Sequence, residues 1–315
     1  MISNYFYNIL KKIFFLLLLF NAVLGYSQCA TSIGFTSNQS NAVTHINGSN
    51  YLLGNSKLTL SYSFAGGSFS YNSEISTDHQ TARGIYTSHD LDDGITDTNH
   101  LKQQLSFSQP IYNLNFDIND IDNGDVIRVL AFDQNNDPIS IGSSNVTRYP
   151  STAVGYNGVN QFSSSSSSSI GANDNKGRAS INFNNLYVSR VVFEYSDIDE
   201  GGSYTIANIS GTSVCAQNDT FSSVIAGTTT NTVFTNDMAS VGGAPTAANT
   251  TVQLTSVGAL TGATINADGT INVPPSATPG TYNLTYSICS PTGQTSYCAT
   301  ANVTLTVVAC PAGTV

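Results

Sequence analysis

The chain has 315 residues, with ten Lys and Arg against twenty Asp and Glu and a formal charge of −10 at pH 7. That balance argues against a nucleic-acid partner, because phosphate binding needs a basic footprint. The length is enough for two cores of ordinary domain size, and with charged residues at only 10% the solubility rests on Ser, Thr and Asn.

Residues 1–27 read as a secretory signal peptide. Lys11 and Lys12 precede the run Ile13-Phe-Phe-Leu-Leu-Leu-Leu-Phe20, and Ala22, Gly25 and Ser27 give a small-residue exit. The run is shorter than the ~20 residues a spanning helix needs, so no transmembrane segment is expected after signal removal. Gln28 stands where lipid modification of Cys29 would require a small residue, which argues against a lipoprotein. Without the signal, eight basic residues face twenty acids, a charge of −12. Seventeen of the acids precede Cys215, so the acidity belongs to the first domain. An acidic, charge-poor exported chain suits divalent cations or neutral polymers.

Over residues 28–215, period-2 runs alternate with Gly, Asn, Asp and Ser clusters, the signature of an all-β domain. Leu58, Leu60, Tyr62 and Phe64 alternate with polar residues, as do Tyr112, Leu114, Phe116 and Ile118. The run Val126-Ile-Arg-Val-Leu-Ala-Phe132 is apolar on both faces and reads as a central strand. Ser180-Ile-Asn-Phe183, Val191-Val-Phe-Glu-Tyr195 and Tyr204-Thr-Ile-Ala-Asn-Ile209 complete the set. Strands without intervening helices pair antiparallel, which predicts a jelly-roll-like β-sandwich. Residues 149–176, with seven consecutive serines at 163–169, read as a long solvated loop without a packed core. The histidines, His45, His79, His89 and His100, match no metal-ligand spacing and are expected in loops or at the surface.

Three acidic turns share one pattern: Asp90-Leu-Asp-Asp-Gly94, Asp120-Ile-Asp-Asn-Gly124-Asp125 and Asp197-Ile-Asp-Glu-Gly201. Alternate carboxylates place oxygens on one side of a turn, and the glycine permits the bend that lets carbonyls join them. Calcium wants six to eight such oxygens. The candidate ligands are Asp90, Asp92, Asp117, Asp120, Asp122, Asp125, Asp197 and Asp199. None of the turns continues to the bidentate Glu of an EF-hand. The competing reading is that hairpin turns select Asp and Gly anyway.

Residues 216–309 contain no Lys, Arg or His. Asn266-Ala-Asp-Gly-Thr270 is a tight-turn signal, followed by Thr278-Pro-Gly-Thr-Tyr282, the alternating run Asn283-Leu-Thr-Tyr-Ser-Ile-Cys289, Cys298, and Ala301-Asn-Val-Thr-Leu-Thr-Val-Val308. Together with Val233-Phe-Thr-Asn-Asp237, these motifs resemble the Ig-like or cadherin-like repeats of Bacteroidetes surface proteins, over roughly the last third of the chain. The resemblance implies a β-sandwich repeat of a secreted, adhesin-like protein. Phe107-Ser-Gln-Pro-Ile111, Leu114-Asn-Phe-Asp-Ile-Asn-Asp-Ile-Asp122 and Tyr204-Thr-Ile-Ala-Asn-Ile209 are similar to the N-terminal sandwich domains of the same proteins. That family is defined by fold and location, so no catalytic residue carries over from it.

Five cysteines in an exported chain favour disulfides. Cys289 and Cys298 flank an eight-residue loop between two strands, and bridging them contributes roughly 2.5–3 kcal/mol by loop closure. Cys29 and Cys215 stand at the two ends of the first domain, where terminal strands often lie side by side. Cys310 falls in residues 310–315, the expected start of a linker or a further repeat.

The expected fold class is all-β, with two antiparallel β-sandwich domains: jelly-roll-like over 28–215, then Ig-like or cadherin-like over 216–309. No Gly-x-Ser-x-Gly nucleophile turn occurs, and the second domain lacks the usual proton shuttles. The expected function is a non-catalytic, secreted or cell-surface adhesin-like module that grips an extracellular glycan or protein surface, with calcium as a stabilising ion. The alternative is a carbohydrate-binding module, in which Tyr51, Tyr62, Tyr71 and Tyr86 replace Trp as stacking faces. Exposed tyrosines clustered on one sheet face would favour the sugar, and a smooth polar face would favour adhesion or spacing.

Overall fold

A computed structural model describes residues 29–35, 51–65, 71–76, 84–89, 95, 100–149, 153–164, 177–196, 202–291 and 297–309. The signal segment, the turns at 90–94 and 197–201, and Cys310 lie outside them. The first strands are β1 (Leu52–Leu53), β2 (Ser56–Ala65), β3 (Tyr71–Ser76), β4 (Gly84–His89) and β5 (His100–Asn119). There follow β6 (Val126–Phe132), β7 (Pro138–Ile139), β8 (Val146–Tyr149), β9 (Val154–Tyr156) and β10 (Gln161–Ser164). The first domain ends with β11 (Arg178–Asn182), β12 (Tyr187–Ser196) and β13 (Gly202–Thr212). The second contains β14 (Asp219–Ile225), β15 (Thr229–Thr232), β16 (Thr251–Ser256), β17 (Thr264–Ile265), β18 (Thr270–Asn272), β19 (Gly280–Cys289) and β20 (Cys298–Val308). Among the described residues the only helical pieces are two three-residue 3-10 turns.

Strand β5, with 20 residues, serves two sheets. Its first half pairs with β2, Leu58 against Phe107 through Ala65 against His100, and with β12, Val191 against Leu105 through Tyr195 against Leu101. Its second half pairs with β13, Thr205 against Asn119 through Thr212 against Tyr112, and with β11, Ala179 against Ile118. A straight strand of this length would run roughly 65 Å. Yet residues 120–125, able to span roughly 20–25 Å, lead from its end to Val126, which sits opposite Ser196 near its beginning. The strand therefore folds back on itself. The corner lies where Tyr112 pairs with both Tyr187 and Thr212, and Asn113 takes a left-handed φ of 54°. Gly211 makes room for it, since a Cβ there would stand 2.3 Å from the Ile111 Cγ2.

The two halves face each other across the core. Phe116 meets Phe193 edge-on at 5.4 Å, and Tyr195 and Tyr204 approach to 4.7 Å. One layer is β2, the first half of β5, β12, β6, β10 and β9; the other is β3, β4, β13, the second half of β5, β11 and β8. The expected central strand at 126–132 has β12 on one side and β10 and β7 on the other.

One expectation is corrected. The span 149–176 is no plain loop, because β9 and β10 pair within it and β10 includes Ser163 and Ser164. Val154 and Phe162 are fully buried, and Phe162 stacks on Tyr156 at 4.7 Å. Two short strands carrying few apolar residues leave too weak a period-2 signal against the serine background. Residues 165–176 lie outside the description.

In the second domain, β14, β20, β19 and β16 form one sheet and β15, β18 and β17 the other. A separate core runs from Val214 through Tyr286 to Val307. Pairing is antiparallel except for β14 with β20, which is parallel. A first and a last strand share no hairpin, so nothing local dictates their direction. On the outward face, Thr281 and Asn283 lie across from Thr306 and Thr304, and Thr285 from Asn302, an uncharged polar lattice.

Cys29 is bonded to Cys215 with a Cα–Cα distance of 5.8 Å, and Cys289 to its register partner Cys298 at 4.0 Å. The corner end of the first sandwich sits on the second domain. There, the Gln109 amide donates to the Cys298 carbonyl at 2.9 Å, the Tyr187 hydroxyl meets Ser240 Oγ at 3.0 Å, and Thr212 donates to the Ser240 carbonyl.

Replacing Phe162 by Ala separates a core strand from a solvated loop. Burial predicts a loss of about 3–5 kcal/mol, read as a lower urea midpoint with unchanged slope. A loop residue would cost almost nothing.

Candidate functional site

The register gives the first sandwich two unlike ends. At one end are Ala65, His100, Ser196, Val126 and Ser163 of one sheet, with Tyr71, His89, Gly202, Asn119 and Ala179 of the other. These positions flank 66–70, 90–99, 120–125, 165–177 and 197–201, five of the segments that pass between the sheets; β11 to β12 crosses at the corner end instead, through 183–186. The described acidic turn, 120–125, therefore lies at this rim, together with the strand ends that adjoin the other two acidic turns, and the second domain is docked at the other end.

The described turn, 120–125, needs left-handed backbone at Asp120 (φ 70°), Asn123 (46°) and Gly124 (91°). Asn, Asp and Gly tolerate that conformation best. Asp125 ties it: its amide donates to the Asp122 carbonyl at 2.8 Å, and its Oδ2 accepts the Asp122 amide at 2.9 Å. The Tyr195 hydroxyl donates to Asp125 Oδ1, and Ser203 Oγ to Asp120 Oδ2 at 2.9 Å. Ile121 is fully buried beneath them.

These carboxylates are not solvated hairpin tips, because Asp120, Asp122 and Asp125 are 7%, 8% and 1% exposed. Nor does Asp117 join them. It alternates with the core residues Phe116 and Ile118, and it accepts from Ser180 and from Asn208 Nδ2. Among the described residues, no group of three His, Cys, Asp or Glu side chains is placed to hold a metal ion. Asp90, Asp92, Asp197 and Asp199 lie outside the described residues, next to strand ends that the register aligns: Asp90 follows His89, the partner of Gly202. Three buried polar oxygens at this end, Asn119 Oδ1, Thr205 Oγ1 and Ser196 Oγ, have no hydrogen-bond partner.

Below the rim the interior stays polar. The Tyr204 hydroxyl donates to Gln103 Oε1 at 2.5 Å, and Gln103 Nε2 donates to the Tyr62 hydroxyl at 3.0 Å, all between the sheets. Tyr62 is thus a packing residue, and Tyr51 is 7% exposed against Phe35. Tyr86 is half-buried, and the Tyr71 side chain lies outside the description. Of the four tyrosines offered as stacking faces, the described ones form no exposed cluster.

His100, expected at the surface, is 2% exposed, with Nε2 3.6 Å from Glu194 Oε1. Glu194 lies between Lys102 and Arg128 in register across three strands. It takes Lys102 Nζ at 2.9 Å and Arg128 Nε at 2.5 Å. Burial pushes its carboxyl pKa up, but Lys102 and Arg128 outweigh that and hold it below the ordinary 4.5. Periodicity could not find this group, because its partners are cross-strand neighbours distant in sequence.

A hollow of about 370 Å³ beside β6 is lined by Phe132, Ile139, Val159 and neighbours, without a titratable side chain. It offers no acid or base for catalysis.

No protein-family profile matches this chain, and no curated protein matches it. Among solved structures, human protocadherin-24 EC1-2 in its form II is similar over 56% of this chain and 84% of its own, at 16% identity and a TM-score of 0.24. Drosophila N-cadherin EC1-3 is similar over 72% of this chain and 78% of its own, at 9% identity and a TM-score of 0.22. Likeness at this level says nothing about ligand or partner.

Glu194→Gln should cost roughly 1.5–3 kcal/mol at pH 7, the range for hydrogen bonds to charged groups. A lowered carboxyl pKa gives stability that is present above the unfolded value of 4.5 and is lost as pH falls through the folded one. The difference from wild type should therefore vanish in acid. Urea melts at pH 7 and pH 3 check both points.

Proposed function

We propose that the chain is an extracellular, non-catalytic adhesion-like module that binds through the acidic rim of its first sandwich, with the second as an uncharged spacer. The observation that carries this reading is that the strand ends flanking 66–70, 90–99, 120–125, 165–177 and 197–201 lie together at the end remote from the second domain. Loops presented together on a rigid sandwich are where such folds usually carry binding residues. The two disulfides suit an oxidising compartment. The motif likeness to repeats of Bacteroidetes surface proteins favours a cell-surface setting. The polar outer lattice of β19 and β20, with buried Tyr51 and partly buried Tyr62, weighs against the carbohydrate-binding alternative.

Calcium is the natural ligand of the rim. The supporting observation is that the strand ends beside Asp90 and Gly201 are register partners, next to the strand that leads into Asp120. Asp120 and Asp125 of that turn already hold protein donors, so the other two turns would have to supply most of the oxygens.

Millimolar calcium should raise the melting midpoint of the first domain, by about 2.7 kcal/mol of stability at 100-fold excess over Kd. Asp120→Asn together with Asp122→Asn should reduce the shift, and Asp268→Asn should not. Identical melting in calcium and in chelator would refute the ion. On an extracellular-matrix and glycan array, Asp92→Asn with Asp199→Asn should lose the binding of the full chain. Thr281→Ala with Thr306→Ala on the spacer face should retain it. The reverse pattern would move the binding surface to the second domain.

A further inference from the structure

Three isolated positions of the second domain meet at its junction with the first. Asp237 is 8% exposed; its Oδ1 accepts the Gln217 amide at 2.8 Å, and its Oδ2 lies 2.9 Å from the Tyr286 hydroxyl. That hydroxyl also stands 2.8 Å from the Gln217 carbonyl and within reach of Asp219. One hydroxyl proton thus faces three acceptors. Asp219 Oδ2 and Asn236 Oδ1 are buried without a hydrogen-bond partner. Among the described residues, besides the Gln217 amide, only the neutral Tyr286 hydroxyl and the Asn236 side chain reach the two carboxyls as donors.

Nothing described around it supplies positive charge. Tyr286 faces it from β19, and Asn218, whose side chain takes the Asn302 amide of β20, adjoins it. From the first domain comes the Cys29–Cys215 disulfide, with Cys29 Sγ 3.7 Å from Gln217 Nε2. Residues 216–309 contain no Lys, Arg, His or Glu. Burial, then the neighbouring charge of Asp237, push the Asp219 carboxyl up to about 7. Burial pushes Asp237 up to about 6, against the Gln217 amide and Tyr286, which lower it.

We propose that Asp219 and Asp237 hold one proton between them near neutral pH, and that its loss on alkalinisation loosens the clasp joining the two domains. Asp237 precedes Met238, whose amide and carbonyl pair with Cys215 at 2.9 and 3.0 Å, and Cys215 is bonded to Cys29. Two residues further on, Ser240 receives Tyr187 and Thr212. Repulsion between two ionised carboxylates is therefore transmitted to the segment on which the first sandwich rests. The sign follows from the raised folded pKa values: stability is full below the ordinary value of 3.8 and declines as pH rises through about 6 to 7.

The test is a carboxyl-carbon NMR titration of the full mature chain in chelator, with amide exchange of Gln217 corrected for its intrinsic pH dependence. Wild type should show Asp219 titrating near 7, and Asp237→Asn should move that midpoint down by removing the neighbouring charge. Gln217 exchange should rise at least about tenfold between pH 6 and 8.5, the equivalent of one pKa unit of coupling. It should stay flat in Asp219→Asn, where one carboxylate remains and nothing repels it. Both aspartates titrating near 4, or equal exchange in wild type and Asp219→Asn, would overturn the proposal. If the variant does not fold, the wild-type titration alone decides.

Discussion

The first domain depends on the corner in β5. One strand supplies an inner strand to both sheets, so the layers are joined covalently at one end and must open, if anywhere, at the other. The corner brings backbone into contact with backbone, which only the missing side chain of Gly211 permits. Because β5 turns at the docking end, the 120–125 turn at its far end lies away from the second domain.

The two domains solve the problem of few charges differently. In the first, buried carboxylates are matched by donors: Glu194 by Lys102 and Arg128, Asp125 by Tyr195 and the Asp122 amide. A buried charge costs several kcal/mol unless it is so paired. The second has no cation to offer, so its buried carboxyls meet neutral donors, and protonation becomes the cheaper way to stay buried. Replacing charge with Thr and Asn gives an inert outer lattice and, at the junction, a pair of acids with raised proton affinity.

The junction combines a covalent tie with weak contacts. The Cys29–Cys215 bond closes a separation of 186 residues, so its entropic effect on the unfolded chain is near the upper end for a disulfide. The contacts of Ser240 and Gln109 fix orientation more than stability, since each hydrogen bond contributes about 1 kcal/mol net.

Strand identity was legible wherever apolar residues alternate over six or more positions, as at 58–64, 112–118 and 301–308, because period 2 is a local property of the pleat. The same holds for Cys289 and Cys298, whose positions at adjoining strand ends bring their sulfurs together. The sequence also assigned the acidity to the first domain and the absence of bases to the second. It could not reveal β9 and β10, where two or three apolar residues suffice because the opposite sheet does the burying. It mistook Asp120, Asp122 and His100 for exposed groups, since burial is a property of what covers a residue and not of the residue. Tertiary structure alone decided that β5 turns back on itself, that the strand ends beside the acidic turns share one rim, and that Asp219, Asp237 and Tyr286 meet. Those facts depend on register between strands far apart in the chain, which hydrogen-bonded pairing sets and local composition does not encode.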